Sequence, residues 1–136
     1  MLTKLFSIPT KANFDCVNIT PQVETFIKEC EVSDGVVLIF SKGSTGALTT
    51  IECKEGLMND LKDTFERLIP SDIHYQHYND WGDDNGFSHI RSAFLQTSIL
   101  IPFEDKILEL GPWQHIVLLN FDTQDREREV LLRIIK

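Results

Sequence analysis

The segment Tyr75–His89 holds the side chains best equipped for chemistry in this chain. His77 and His89 bracket Asn79, Asp80, Asp83, Asp84 and Asn85, with Gly82 and Gly86 among them and no apolar periodicity. So many polar groups in one loop point to a shared target. Imidazole titrates near neutral pH, so either histidine can serve as a general acid or base. It also ligates metals, and a neighbouring carboxylate or amide commonly holds its second nitrogen. Both uses stay open for His77 and His89.

Other candidates are weaker. His74 precedes His77 by three residues, and on an extended segment the two point to opposite faces. Pro70, Tyr75 and Tyr78 argue against a helix there, so His74 is left out of the site. His115, beside Trp113, reads as a strand-face residue. Asp83, Asn85 and Gly86 match part of a calcium loop, but its anchoring first and last positions would fall on Trp81 and Ser92, which excludes it. Lys42-Gly43-Ser44-Thr45-Gly46 lacks the order of a nucleotide-binding phosphate loop and leads into a strand. Its amides and hydroxyls suit an anion; the commoner reading is a hairpin turn in which glycine supplies positive φ. Cys16, Cys30 and Cys53 have no activating neighbour in sequence, and no Gly-x-Ser-x-Gly elbow exists.

The elements that must position these residues follow from periodicity. Leu2–Ile8 and Asn13–Ile19 alternate loosely and predict strands around a Pro9-Thr10 turn. Thr20-Pro21 predicts a capped helix start, with Val23, Phe26, Ile27 and Cys30 on one apolar face. Val36–Phe40 and Ala47–Glu52 read as strands. Leu57, Met58, Leu61, Phe65 and Leu68 form a second helical stripe, ended by Pro70. A short helix over Ser88–Leu95 is expected to face inward with Ile90, Ala93 and Phe94. Ser98–Phe103 is a strand, and Gln114–Asp122 and Glu129–Ile135 read as a terminal hairpin joined by Thr123-Gln124-Asp125. Strands that follow one another this closely pair antiparallel, which predicts an α+β fold with helices packed on one face of an antiparallel sheet.

Composition narrows the function classes. The chain has 136 residues, which predicts a single domain over 1–136. Thirteen Lys plus Arg against 21 Asp plus Glu leave a net charge of −8, so no basic face serves a nucleic acid. The three cysteines are odd in number and lack a CxxC pair, which fits a reducing compartment. No apolar run is long enough for a membrane span, and the N-terminus lacks a signal-peptide pattern. The expected location is the cytoplasm.

Several motifs come together as a resemblance. Tyr75-x-His77, Asn85-Gly86, Ser88-His89-Ile90, Ile101-Pro102 and Leu110-Gly111-Pro112-Trp113-Gln114, in this order and spacing, resemble the YjbQ family. Ser44-Thr45-Gly46-Ala47-Leu48 with Glu52 and Asp60 resembles its first motif, and Asp122 with Arg126 and Arg128 its last. The resemblance covers nearly the whole chain. It implies an α+β subunit on an antiparallel sheet, assembled as a homotrimer, with a polar pocket around the histidines between subunits. It also implies secondary thiamine-phosphate synthase activity, a weak joining of thiazole phosphate to pyrimidine pyrophosphate. For some members it implies zinc in the histidine pocket.

Carried over by residue, His77, His89 and Glu52 become the catalytic candidates, with His77 and His89 also the metal candidates. Ser44, Thr45, Asn85, Trp113, Gln114 and Arg126 become the substrate-binding candidates. One departure stands out: the family usually has histidine directly before the hydroxyl pair, and this chain has Gly43. A catalytic zinc site typically uses three protein ligands, and only two histidines remain unless Glu52, Asp80 or a neighbouring subunit completes the set. Gln96, where the family often has glycine, affects a turn rather than the chemistry. Ser44 and Thr45 with their amides suit a phosphate, and Arg126 and Arg128 a pyrophosphate, although arginines on a hairpin are commonly solvated. Trp113 suits stacking on an aromatic ring, or burial in the core or at an interface. The partner expected is a small phosphorylated molecule. The alternative function is a metal- or small-molecule-binding homotrimer without efficient catalysis.

Overall fold

Strand-length apolar runs, such as 36–40 and 116–119, carry most of the strands, and burial alternates where one side of a strand faces outward. Along the last strand, Arg128, Val130, Leu132 and Ile134 are buried while Glu127, Glu129 and Arg133 are exposed, the period of two that a half-buried strand requires. The computed structural model describes residues 2–136, so Met1 of the 1–136 domain lies outside the described residues. In chain order the elements are β1 (Thr3–Thr10), β2 (Asp15–Asn18), α1 (Thr20–Glu29), β3 (Gly35–Lys42), β4 (Gly46–Ile51) and α2 (Glu55–Leu68). They continue with α3 (His77–Trp81), α4 (Gly86–Leu95), β5 (Ser98–Glu104), β6 (Ile107–Leu108), β7 (His115–Asn120) and β8 (Arg126–Ile135).

The fold is α+β and its ladders are antiparallel, as expected. The finer layout differs from one sheet with helices on one face. The strands curl into a five-stranded ladder, β1-β8-β3-β5-β6, and a three-stranded ladder, β2-β7-β4. Val37, Ile39, Ile101, Phe103, Val130 and Leu132 of the larger sheet pack with Leu48, Ile116 and Leu118 of the smaller. Val23, Phe26 and Ile27 of α1 complete that core. The other face of the smaller sheet, through Ala47 and Leu119, packs with Phe65 and Ile69 from α2 and its C-terminus, with Phe87 of α4, and with Phe121.

Several local expectations change. β7 and β8 are not a hairpin: β7 pairs with β2 and β4, and β8 with β1 and β3. Nor does the Lys42–Gly46 turn close a hairpin, because β3 and β4 belong to different sheets. β1 runs through Pro9, which faces Glu127, instead of turning there; β1 is an edge strand, where a missing N–H costs nothing. Thr20 opens α1 without capping it. Its hydroxyl accepts from the Ile116 N–H at 2.8 Å and so ties the helix to β7. In α4 the buried face is Phe87, Ser88, Arg91 and Ser92, not Ile90, Ala93 and Phe94.

That reversal in α4 has a physical cause. The Arg91 guanidinium pairs with Glu66 at 2.8 Å and donates to the Ile69 carbonyl at 2.8 and 3.1 Å. It also lies over the rings of Phe65, Phe87 and Phe121. Ser92 donates to the Gly46 carbonyl at 2.5 Å. Polar residues with satisfied bonds thus take the inner face, and Phe94 is left 73% exposed.

Candidate functional site

Three chain crossings between the two sheets converge at one corner of the molecule. They are the β1–β2, β3–β4 and β7–β8 connections, residues 11–14, 43–45 and 121–125. Asn13 N–H donates to the Asp122 carbonyl at 2.9 Å, and Phe121 N–H to the Thr45 carbonyl at 3.0 Å, which ties the three together. The N-terminus of α4 packs onto the same corner through Asn85.

Asp122 is the hub. It is 1% exposed and its carboxylate accepts from four residues. Asn85 Nδ2 donates at 3.2 Å and the Thr123 N–H at 2.7 Å to Oδ1; Thr45 Oγ1 and Arg126 Nε each donate at 3.0 Å to Oδ2. Burial alone would raise this carboxyl, but the hydrogen bonds from Asn85, Thr45 and Thr123 and the Arg126 charge outweigh it and hold it below the usual aspartate range. Arg128 lies next to it, donating through Nη2 to Thr45 Oγ1 at 2.8 Å and to Asn120 Oδ1 at 2.5 Å.

His77 and His89 face each other with ring centroids 4.6 Å apart. Gly86 makes this approach possible: a Cβ there would stand 2.7 Å from that of Tyr75 and 3.0 Å from that of His77. Burial lowers the His89 pKa below the usual histidine value, and the neighbouring His77 lowers it further. Asp122, a hydrogen bond with the Ser44 backbone and Asp83 oppose the shift without reversing it. The surroundings of His89 therefore favour its neutral form. His77 Nδ1 is buried without a partner. Gly43, Ser44, His89, Ser92 and Thr97 line an open cleft of about 350 Å³.

The corner thus gathers His77, His89, Ser44, Thr45, Asn85 and Arg126. The Thr45 hydroxyl is committed to Asp122 and Arg128, while Ser44 is exposed. Glu52, Trp113 and Gln114 lie elsewhere. They sit at the far end of β4 and at the start of β7, beyond the His115–Ile51 pair. At about 3.3 Å per strand residue, Glu52 is about 20 Å from Thr45. There Gln114 donates to Thr50 Oγ1 at 2.9 Å, and Trp113, 64% exposed, stacks under Lys54. His115 accepts from the Cys53 N–H at 3.3 Å.

The fit to a metal is tested by the donors present. Among the described residues no three His, Cys, Asp or Glu side chains gather as a ligand set. One chain offers zinc the two imidazoles, and a third ligand would have to come from a neighbouring chain. Thiol chemistry has no support at the corner: burial pushes the Cys16 thiol up to about 12, so it stays protonated.

The family model described as UPF0047 protein YjbQ-like matches residues 4–136. The chain belongs to this family. A UPF0047 protein of Archaeoglobus fulgidus is 33% identical over 129 residues, covering 95% of this chain and 98% of its own. YugU of Bacillus subtilis, a UPF0047 protein, is 25% identical, covering 89% and 90%. A YbjQ-like protein of unknown function from Sulfolobus solfataricus has a solved structure with a TM-score of 0.90. It is 29% identical and covers 97% of this chain and 94% of its own. Membership in the YjbQ-like family gives the fold and no reaction.

Within this YjbQ-like fold, the sequence names most of the residues that organise the corner but not how they bond to one another. Asp122 and Arg128 were legible as motif positions, and Asn120 not at all. A signal for Arg128 existed: it shares parity with Val130, Leu132 and Ile134, so a strand through all four turns it inward. The expectation that it is solvated on a hairpin fails, because it is 4% exposed. Arg126, two residues earlier, keeps its side chain 43% exposed and fits the solvated reading better.

Proposed function

We propose that this YjbQ-like chain handles a small phosphorylated molecule at the His77–His89 corner. The reaction we assign to it is a weak transfer of the thiamine-phosphate type, joining thiazole phosphate to pyrimidine pyrophosphate. The observation that carries this is the convergence of His89 with a glycine-flanked hydroxyl loop at one cleft, with Arg126 and Arg128 bonded to Asp122 and Thr45 at the same corner. In such a transfer the thiazole ring nitrogen attacks the pyrimidine methylene. The bond from that carbon to the pyrophosphate oxygen breaks, and its electron pair leaves with the pyrophosphate. The growing negative charge calls for donors fixed in advance. Ser44, the loop amides and Arg126 would supply them, while Asn85 and Asp122 hold Arg126 and Thr45 in place.

His77 and His89 would pack against the aromatic ring and hold protons away from the attacking nitrogen. Glu52, Trp113 and Gln114 fit this reading as residues of a second subunit. A homotrimer that brings the far end of one chain over the cleft of the next would complete the site. The exposed apolar side chains Ile90 and Phe94 on α4, next to the cleft, support such a covering.

Purified protein incubated with both half-molecules is expected to form the joined product slowly. His89→Ala should abolish it without loss of folding. Equal product from His89→Ala, or none from either protein, would sink the transferase reading.

A metal- or small-molecule-binding trimer without efficient catalysis is the second reading, favoured by the two-histidine ligand set. Zinc titration of the assembled protein, followed by metal analysis after gel filtration, tests it. Retention of one zinc per chain, lost in His77→Ala, is its expected outcome.

A further inference from the structure

We propose that Arg128 is the resident cation of an oxyanion site at the floor of the cleft, reached past Gly43, whose counter-ion is a phosphoryl group of the ligand and not a protein carboxylate. The inference rests on the reading that the cleft takes a phosphorylated molecule.

A buried charge is ordinarily paired, and Arg128 is not. It is 4% exposed, yet among the described residues no carboxylate lies within ion-pairing distance of it. Its acceptors, Thr45 Oγ1 and Asn120 Oδ1, are neutral. Its Nε is buried with no partner at all. Burial lowers its pKa and only the charge of Asp122, which Arg126 already engages, works the other way. One carboxylate, Asp122, therefore faces two guanidiniums, Arg126 and Arg128.

The surroundings give that charge an outlet. A Cβ on Gly43 would stand 2.9 Å from Arg128 Nη1, so the edge of the guanidinium carrying Nη1 lies directly against Gly43. Gly43 itself lines the cleft, beside Ser44 and His89. Its φ of +136° is a conformation that side-chain-bearing residues rarely adopt. The glycine thus does two things at once: it lets the loop pass close over the arginine, and it places no side chain of its own against Nη1. Arginine presents a planar fork that matches a phosphoryl group, and loop amides around it add further donors. The ligand class is a phosphomonoester or diphosphate end, bound by guanidinium and backbone. In this chain a guanidinium provides the positive charge at the position where a residue-43 side chain would otherwise intrude.

The test uses the intact chain and inorganic phosphate and pyrophosphate as probes, against chloride at equal ionic strength. Thermal unfolding is expected to shift upward with phosphate and further with pyrophosphate. Arg128→Gln should remove the response, Arg128→Lys should keep part of it, and Gly43→Ala should weaken binding about tenfold or more. In the wild type, the Arg128 Nε–H resonance in a nitrogen-15 spectrum is expected to move on saturation with phosphate; this readout stands even if a variant fails to fold. No shift in wild-type stability with either anion overturns the proposal, as does a response of equal size in Arg128→Gln or an unmoved Nε–H signal. Joined product from the two half-molecules with an unchanged rate in Arg128→Gln would leave the transferase reading standing and remove this site. A phosphate response that depends on Arg128, without any product, would do the reverse.

Discussion

At the scale of single residues, Asp122 decides whether the corner exists. Its two oxygens accept from Asn85, Thr45, Thr123 and Arg126, and an amide at this position accepts through one atom only. Asp122→Asn is expected to cost about 3–5 kcal/mol, because Arg126 then loses its carboxylate partner and the buried donors of Asn85 and Thr45 lose theirs; urea unfolding measures it. The pH dependence follows from the directions of two shifts. Asp122 titrates below its ordinary value, so its stabilisation is present above the normal aspartate range and is lost as pH falls through the lowered value. His89 is also lowered, so the fold favours its neutral form. Its contribution is present above the ordinary histidine range and fades as pH falls through the depressed value. Stability should therefore drop in two steps on acidification, with His89→Gln removing the upper and Asp122→Asn the lower. Gly43→His tests the missing third histidine. With φ at +136° and its Cβ position 2.9 Å from Arg128 Nη1, the variant is expected to lose about 1–3 kcal/mol and gain no zinc affinity. Tighter zinc binding with unchanged stability would contradict the strain. The histidines and the hydroxyl pair of this site were legible in sequence because their types are rare and clustered. The burial of Arg128 was not, since charge usually signals exposure and only its parity with Val130 pointed inward.

At the scale of elements, α4 shows where periodicity misleads. Ile90 and Phe94 at i, i+4 suggest an apolar inner face, yet that face is turned out and Arg91 is turned in. The guanidinium joins α4 to the C-terminal end of α2 through Glu66 and the Ile69 carbonyl, under a cover of aromatic rings. No apolar pattern encodes such a bond, since both partners look like surface residues. Arg91→Ala is expected to destabilise by about 3–5 kcal/mol. Arg91→Met, which fills the space between Phe65 and Phe87, should lose clearly less. Glu66→Gln should lose least, because Glu66 is half exposed and keeps an oxygen for Arg91. Denaturant midpoints in that order support the clamp; an equal loss for Met and Ala would mean that charge, not packing, holds the helices. The strands were easier to read than their partners. Apolar and β-rich runs located β3, β4, β7 and β8 within a few residues, whereas the sheet each joins depends on crossings of three to five residues, at which short connections ordinarily make hairpins. Asn120, Asp122 and Thr45 hold the chain in a crossing instead.

At the scale of the whole molecule, the residues that the resemblance groups into one site occupy two ends of one chain. Ser44 and His89 are at the corner, and Glu52, Trp113 and Gln114 are about 20 Å away along β4. No small substrate spans that distance within one subunit. A second copy resolves it if its Trp113 end sits over the cleft of the first, in a closed ring in which each subunit gives one end and receives the other. Such a head-to-tail contact closes as a trimer when the rotation returns to its start. Exposed apolar side chains suit burial: Phe94 and Ile90 lie on α4 beside the cleft, and Leu5, Leu100 and Ile135 lie farther along the larger sheet. Phe94→Asp places a charge in the centre of the α4 patch, and Leu100→Asp one on the sheet. Sedimentation equilibrium of the wild type is expected to give three times the mass of one chain, and Phe94→Asp to shift it toward the monomer. If the arrangement is right, mixing a His89→Ala chain with a Trp113→Ala chain restores joined product. In mixed rings one interface in several then pairs an intact corner with an intact far end. Mixing that restores nothing, between variants that both remain trimeric, would place Glu52, Trp113 and Gln114 outside the site and leave the corner of a single chain to act alone.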